Sequence, residues 1–143
     1  MKHPFGSEIT SDMLVEDLTF FDDWEERYRY IIDLGKKLPP LPDSEKNNTN
    51  LLQGCQSQVW IIHHFDPQQR TLTFEVDSDA FIVKGLLAMV MAAYNQKTPT
   101  DILAFDIEGY FNQTGLIKHL SPTRGNGLKS MVKRIQGYAQ QYS

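Results

Sequence analysis

The spacing of apolar residues predicts two helices in the first third of the chain. The first is expected from Thr10 or Ser11 to about Phe20, because either residue can cap a helix whose apolar positions follow at helical spacing. The second is expected after Asp22, which stands three residues before a glutamate, as in a capping box. Its apolar stripe consists of Trp24, Tyr28, Ile31, Ile32 and Gly35. Residues 1–9 lack such a pattern, and we expect them to be loosely ordered.

Three prolines end the second helix and lead into a polar loop. Pro39, Pro40 and Pro42 keep the segment 38–42 extended, since proline fixes φ and restricts the residue before it. Residues 43–50 are polar and rich in asparagine, which indicates an exposed loop.

The middle of the chain predicts a small antiparallel sheet. A short strand is expected to begin at Leu51 and to end at Gly54. Residues 57–65 are rich in strand-forming side chains, and residues 71–76 alternate between apolar and polar. The turn at residues 66–69 is short, so these two strands should form a hairpin with one face covered.

The second half of the chain predicts helices. Asp77-Ser78-Asp79 is expected to cap a long helix that runs to about Asn95 and is apolar nearly all round, which is typical of a central buried helix. Further helices are expected over residues 98–104, 106–115 and 121–141, two of them opened by a hydroxyl residue followed by proline. The predicted fold is a single α+β domain over residues 1–143, with a three-stranded antiparallel sheet covered on one face by helices.

Charge is distributed unevenly along the chain. The net charge is −4, yet residues 1–54 hold eleven acidic and six basic side chains, whereas residues 112–143 hold five basic and no acidic ones. The basic region 112–143 is either a solvent-exposed helix face or a binding surface for a partner protein. The overall acidity argues against a dedicated nucleic-acid binder, which needs a concentrated basic surface. No apolar run approaches the roughly 20 residues that span a bilayer, and one cysteine without an export signal indicates a cytoplasmic location.

Cys55 is the only cysteine, so its chemistry would be that of one thiol: nucleophilic attack, sulfur carriage or redox sensing. Free cysteines are often buried packing residues, but the preceding Gly54 permits a sharp turn that leaves a thiol accessible. No basic residue adjoins Cys55, so a cation that favours its thiolate must come from elsewhere in the fold or from a partner.

Other candidate sites are weaker. His63 and His64 are consecutive on a strand, so their side chains point to opposite faces and do not easily bind one metal. His119 is the better partner for a Cys–His pair, because it lies just before a helix start. Arg124 lies near the N-terminus of the last predicted helix, where the helix dipole disfavours a positive charge. Such an exception to a local rule hints at a functional role. A loop with a later helix start would explain the position of Arg124 as well.

These features together resemble the SufE/CsdE family of sulfur acceptor proteins. The segment Gly54-Cys55-Gln56-Ser57-Gln58-Val59-Trp60 is similar to the sulfur-acceptor motif of the family. The resemblance continues through Trp24–Tyr28, Ile31–Gly35, Leu38-Pro39, Asp77–Asp79, Ile82–Leu86, Leu120–Arg124 and Gly127-Leu128. The start His3-Pro4-Phe5-Gly6 resembles the CsdE branch, whereas Gln56-Ser57-Gln58 resembles SufE itself. We refer to residues 51–58 as the acceptor segment.

The resemblance implies a function. Family members bind a pyridoxal-phosphate-dependent cysteine desulfurase (SufS/CsdA-like), stimulate it and accept its persulfide sulfur, here on Cys55. They pass the sulfur to iron–sulfur cluster assembly or another acceptor and need no cofactor of their own. We expect this chain to bind no metal and to be a monomer or a homodimer. The fold implied is related to IscU-type scaffolds. Supporting or partner-binding residues implied by the resemblance are Gly54, Gln56, Ser57, Asp79 and Arg124.

Two other functions fit the residues. The chain could activate a desulfurase without covalent chemistry, with Cys55 incidental, or it could be a cysteine hydrolase. Only the covalent carrier requires sulfur to be found on Cys55, and only a hydrolase requires turnover without a desulfurase.

Overall fold

The computed structural model describes residues 4–52 and 57–143 as helices packed on a β-hairpin. Its elements, in chain order, are α1 (Ser11–Phe20), α2 (Trp24–Gly35), a 3₁₀ turn (Asp43–Glu45), β1 (Val59–Asp66), β2 (Thr71–Ser78), α3 (Phe81–Tyr94), α4 (Pro99–Ala104), α5 (Ile107–Thr114), α6 (Leu116–His119) and α7 (Pro122–Tyr142). The α+β class expected from the sequence is confirmed. None of the described helices is long and apolar enough to cross a bilayer.

The sheet has two strands in the described residues, not the three predicted. β1 and β2 pair antiparallel over eight residues each. The predicted strand at Leu51 is reduced to an isolated bridge opposite Trp60. Only two apolar residues, Leu51 and Leu52, follow the polar loop, which is few for a strand. Residues 53 and 54 of the predicted strand lie outside the described residues.

The hairpin is covered on one face, as its alternation predicts. Leu72, Phe74 and Val76 are buried, whereas Thr73 is half-buried and Glu75 is exposed. The covering layer includes α3 and the end of α7.

Helix α3 is the centre of the core. Twelve of its fourteen residues are buried, which confirms the central helix predicted from its apolar composition. It packs against α1, α2, α7 and β2. Gly35 of α2 meets Gly85 of α3 so closely that a Cβ added to Gly85 would overlap the carbonyl group of Ile31. These glycines allow two helix backbones to approach without an intervening side chain.

The predicted helix starts agree with the structure except at α2 and α3, and the short helix α6 was not predicted. Thr10 caps α1, as one of the two predicted alternatives. The predicted cap of α2, Asp22, is wrong by one residue: the Asp23 carboxylate accepts the N–H of Glu25 at 2.6 Å.

The predicted cap of α3 is also wrong. Asp77 and Ser78 belong to β2, because pairing with β1 extends that strand through Ser78. Helix α3 begins after Ala80, which offers no side-chain cap. The side chains of Asp77 and Asp79 make other contacts, described below.

The last helix begins at Pro122 and runs without interruption to Tyr142. It includes both Gly125 and Gly127, which rules out a loop with a later helix start. An added Cβ at Gly125 would meet nothing within 4 Å, so space does not require that glycine. Gly127 is buried.

Loose order was expected over residues 1–9, but the described part of this stretch packs on the core. Phe5 is fully buried, and its carbonyl accepts a hydrogen bond from the buried side chain of Asn95 at 3.1 Å. Gly6 has φ of +92°, a left-handed conformation that glycine adopts readily. The buried ring of Phe5, together with hydrogen bonds from Asn95, Gln96 and Lys97 to the backbone carbonyls of this segment, holds it on the core.

Candidate functional site

The N-terminal end of the acceptor segment is held against β1. Three of the predicted site residues, Gly54, Cys55 and Gln56, lie outside the described residues. Leu52, just before them, is buried and donates its N–H to the carbonyl of Val59 at 2.8 Å. The chain therefore enters the segment from a fixed position at the start of the hairpin.

The C-terminal end of the acceptor segment is held by the end of β2. The Asp79 carboxylate accepts the N–H of Gln58 at 3.1 Å, and the Asp79 N–H donates to the Gln58 carbonyl at 3.3 Å. The Ser78 hydroxyl donates to the same carbonyl at 2.7 Å. Asp79, a predicted supporting residue, thus fixes the chain where it leaves the acceptor segment.

Two predicted site residues, Ser57 and Arg124, lie at one pocket, although they are 67 positions apart in the sequence. We name it the Arg124 pocket. Its volume is about 40 Å³, and its lining residues are Ser57, Val83, Leu86, Thr123, Arg124, Gly127 and Met131. A pocket of this size has room for a small group such as a thiol or persulfide, and is far below the roughly 300 Å³ of a typical ligand site.

Arg124 brings an unpaired positive charge to this pocket. Its backbone N–H is held by the hydroxyl of Ser121 at 3.3 Å, the capping bond of α7. Its side chain is exposed and makes no hydrogen bond or ion pair with the other residues that the structure describes. Thr123, also in the first turn of α7, lines the same pocket. A guanidinium and the positive end of a helix at one small pocket would favour an anion there, a thiolate included.

Asp77 forms a buried ionic network that the sequence did not reveal. Its side chain is only 6% exposed. It accepts the N–H groups of Ser78 at 2.8 Å and Leu41 at 3.4 Å, and it pairs with the ammonium groups of Lys46 at 3.4 Å and Lys84 at 3.5 Å. Burial raises the pKa of Asp77, but these hydrogen bonds and positive charges outweigh it and hold the pKa below its usual 3.8.

The network connects two other parts of the molecule to the end of β2. Leu41 and Lys46 belong to the loop that leads to the acceptor segment, and Lys84 belongs to α3. The Lys46 ammonium group also lies 5.5 Å from the ring centre of Trp60, within cation–π range. Asp77 therefore fixes the loop before the acceptor segment.

Phe81 is an exposed aromatic residue close to this site. It is the first residue of α3 and is 71% exposed. Asp79, which holds the acceptor segment, lies two residues before Phe81. Val83, which lines the Arg124 pocket, lies two residues after it. Phe81 thus offers apolar surface beside the site.

His63, His64 and His119, the histidines within the described residues, each contact another side chain. His119 stacks on Trp24 with ring centres 4.4 Å apart. His63 stacks on Tyr138 at 3.8 Å, and burial, then the charges of His64 and Arg134, lower the pKa of His63. A pairing of His119 with Cys55 stays a prediction, because Cys55 lies outside the described residues.

Metal binding has no support in the described chain. Within residues 4–52 and 57–143, no group of three or more His, Cys, Asp or Glu side chains is arranged to hold a metal ion.

The fold and site together define a small α+β protein whose single thiol belongs to a segment anchored at the start of a hairpin, beside a cationic pocket. The Fe-S metabolism associated domain of the SufE family matches residues 12–139, and this chain belongs to that family. Membership gives it a sulfur-transfer role in iron–sulfur metabolism, and domains of this family are associated with cysteine desulfurases.

Curated relatives agree with this membership. The chain is 47% identical over 131 residues to an uncharacterized SufE-like protein of Rhizobium etli, an alignment that covers 90% of this chain and 88% of the relative. An uncharacterized SufE-like protein of Rhizobium meliloti is 46% identical, with 90% and 94% covered.

The fold is shared more widely than the sequence. The solution structure of a hypothetical protein from Thermus thermophilus superposes with a TM-score of 0.74 at 17% identity, covering 99% of this chain and 98% of that one. At this identity the likeness supports the fold alone.

Proposed function

We propose that this protein is a covalent sulfur carrier between a cysteine desulfurase and a downstream acceptor. It binds a pyridoxal-phosphate-dependent desulfurase, stimulates it, takes sulfur on Cys55 and passes it to iron–sulfur cluster assembly or another sulfur-accepting protein. The proposal rests on membership of the SufE family in a chain whose only thiol lies inside the acceptor segment.

The chemistry proposed is an exchange at sulfur. The Cys55 thiolate attacks the outer sulfur of the donor's cysteine persulfide, and a new sulfur–sulfur bond forms on Cys55. The bond between the outer sulfur and the donor cysteine breaks, and the donor leaves as a thiolate. No external oxidant or reductant is needed, because the transferred sulfur keeps its oxidation state. The pyridoxal phosphate belongs to the desulfurase and is not a cofactor of this chain.

The surroundings of the acceptor segment support this chemistry. Ser57 is two residues from Cys55, a distance of about 7 Å at most in an extended chain, and it lines the same pocket as Arg124. The unpaired guanidinium can stabilise the Cys55 thiolate or its persulfide anion. Phe81 supplies an apolar contact for the desulfurase beside the pocket.

Intact-mass spectrometry tests the proposal. The protein is mixed with a cysteine desulfurase and free cysteine, and we expect the mass of one sulfur atom to be added at Cys55. The added mass should disappear on treatment with a reducing thiol. Cys55→Ser is the matched control, and it should gain no mass and give no sulfur transfer. Full stimulation of the desulfurase by Cys55→Ser, with no adduct on the wild type, would instead show a non-covalent activator.

A further inference from the structure

A second concave surface lies between α5 and α7. We name it the α5–α7 groove. Its volume is about 560 Å³, and its lining residues are Ile107, Glu108, Phe111, Asn112, Ile117, Lys129, Val132, Lys133 and Gln136. The floor is apolar: Ile107, Phe111 and Val132 are each exposed by less than one tenth and belong to the hydrophobic core.

The rim of the groove is charged and mostly positive. Lys129 and Lys133 stand one turn apart on α7, both exposed, and neither has an ion pair or hydrogen bond within the part of the chain that the structure describes. Glu108 on α5 is the one carboxylate among the lining residues of the groove. The last 32 residues of the chain contain no acidic side chain, so no residue of α7 offers the two lysines a carboxylate.

The groove faces away from the acceptor segment. Each residue advances an α-helix by about 100°, so Lys129 and Lys133 lie roughly 160° around α7 from Met131, which lines the Arg124 pocket. A molecule in the groove and a protein at the acceptor segment would therefore contact opposite sides of α7.

We propose that the α5–α7 groove binds an acidic amphipathic helix of a partner protein. The groove extends from Lys129 to Gln136, about 10 Å along α7, or two helical turns. That length matches apolar anchors at positions i, i+3 or i+4, and i+7 of a bound helix. Acidic residues beside those anchors would pair with Lys129 and Lys133. This site is separate from sulfur transfer and does not depend on it.

The probes are two short synthetic helical peptides that share the same leucine anchors. One carries glutamates beside the anchors, and the other carries lysines at the same positions. Binding to the ¹⁵N-labelled full chain is followed by amide chemical shifts. We expect the acidic peptide to bind about tenfold more tightly than the basic one, with the largest shifts at residues 107–117 and 129–136.

Charge reversal at the rim completes the test. In Lys129→Glu/Lys133→Glu we expect the preference to reverse towards the basic peptide. The control is Lys36→Glu/Lys37→Glu, which changes the net charge equally at two exposed lysines outside the groove lining and should leave the preference unchanged. All four substitutions are at exposed positions, so thermal melts should show intact folding. Equal binding of both peptides, no binding, or shifts centred outside the groove would overturn the proposal.

Discussion

Asp77 and Arg124 are both charged residues near the acceptor segment, but their surroundings are opposite. Asp77 is buried and has four partners from three parts of the chain. Arg124 is exposed, and its side chain has no partner among the described residues. A buried charge without partners would cost several kcal/mol, so the fold must satisfy Asp77 internally. A charge left unsatisfied at a pocket is instead available to a ligand or a partner protein.

The largest effect is expected from Asp77→Ala. It leaves the N–H groups of Ser78 and Leu41 without their acceptor, Lys84 without its counter-ion, and Lys46 with only the exposed Asp43 at 3.6 Å. We therefore expect a loss of about 3 kcal/mol in the free energy of unfolding. Urea denaturation measures it. The control is Asp33→Ala, since Asp33 pairs with Lys36 at a side-chain exposure of 71% and should change stability by less than about 0.5 kcal/mol. Equal losses in both variants would show that Asp77 acts only as a surface charge.

The next effect concerns Phe81→Ser. We expect desulfurase binding to weaken about tenfold, because an exposed aromatic ring beside the site is a common anchor in protein interfaces. Stability should not fall, since the ring is mostly in solvent. Phe20→Ser is a matched control: Phe20 is 81% exposed, but it ends α1, a helix that contributes no residue to the Arg124 pocket, whereas α3 contributes Val83 and Leu86. Binding is measured by titration calorimetry, and equal weakening by the two variants would reject a docking role for Phe81.

A smaller effect is expected from Arg124→Ala. The rate of sulfur loading on Cys55 should fall about fivefold, because a charge interaction of about 1 kcal/mol with the reacting sulfur is lost. Arg124→Lys should restore part of the rate. The free energy of unfolding should change by less than about 0.5 kcal/mol, in contrast to Asp77→Ala.

Lys118→Ala is the control for Arg124→Ala. It removes one exposed positive charge of the same basic region without touching the Arg124 pocket. If Arg124→Ala leaves both sulfur loading and desulfurase binding unchanged, the proposed role of Arg124 is wrong.

The smallest effect is expected in the pH dependence of stability, when Asp77 is replaced by asparagine. The pKa of Asp77 is lower in the folded protein than its ordinary value of 3.8, so protons bind the unfolded chain more readily. The stability due to the carboxylate is therefore complete above about pH 5 and is lost as the pH falls below 3.8. Urea denaturation at pH 3 and pH 6 should show a smaller difference for Asp77→Asn than for the wild type. An unchanged difference would contradict an ionised Asp77 in the fold.

The local parts of the fold could be predicted from the sequence. Helix α7 begins where Ser121 and Pro122 indicate, and the hairpin follows the alternation from Leu72 to Val76. Such features depend on residues within a few positions of one another, whose propensities and hydrogen bonds act locally. The error at Asp22 is of the same kind, because Asp23 beside it has the same chemistry and wins the capping position.

The contacts of Asp77 could not be predicted. Its partners Leu41 and Lys46 are 36 and 31 positions away in the sequence, and an acidic residue before an apolar helix has the same local pattern as a cap. Only the pairing of β1 with β2 places Asp77 inside the strand and turns its side chain into the network.

The sequence by itself determined the class of the fold, the single thiol and the resemblance to the SufE family, because these depend on local patterns and on the order of motifs. The tertiary structure decided which charges are paired. It placed Ser57 beside Arg124 and Lys46 beside Asp77, because distant segments meet only when the hairpin and the helices bury a common apolar core.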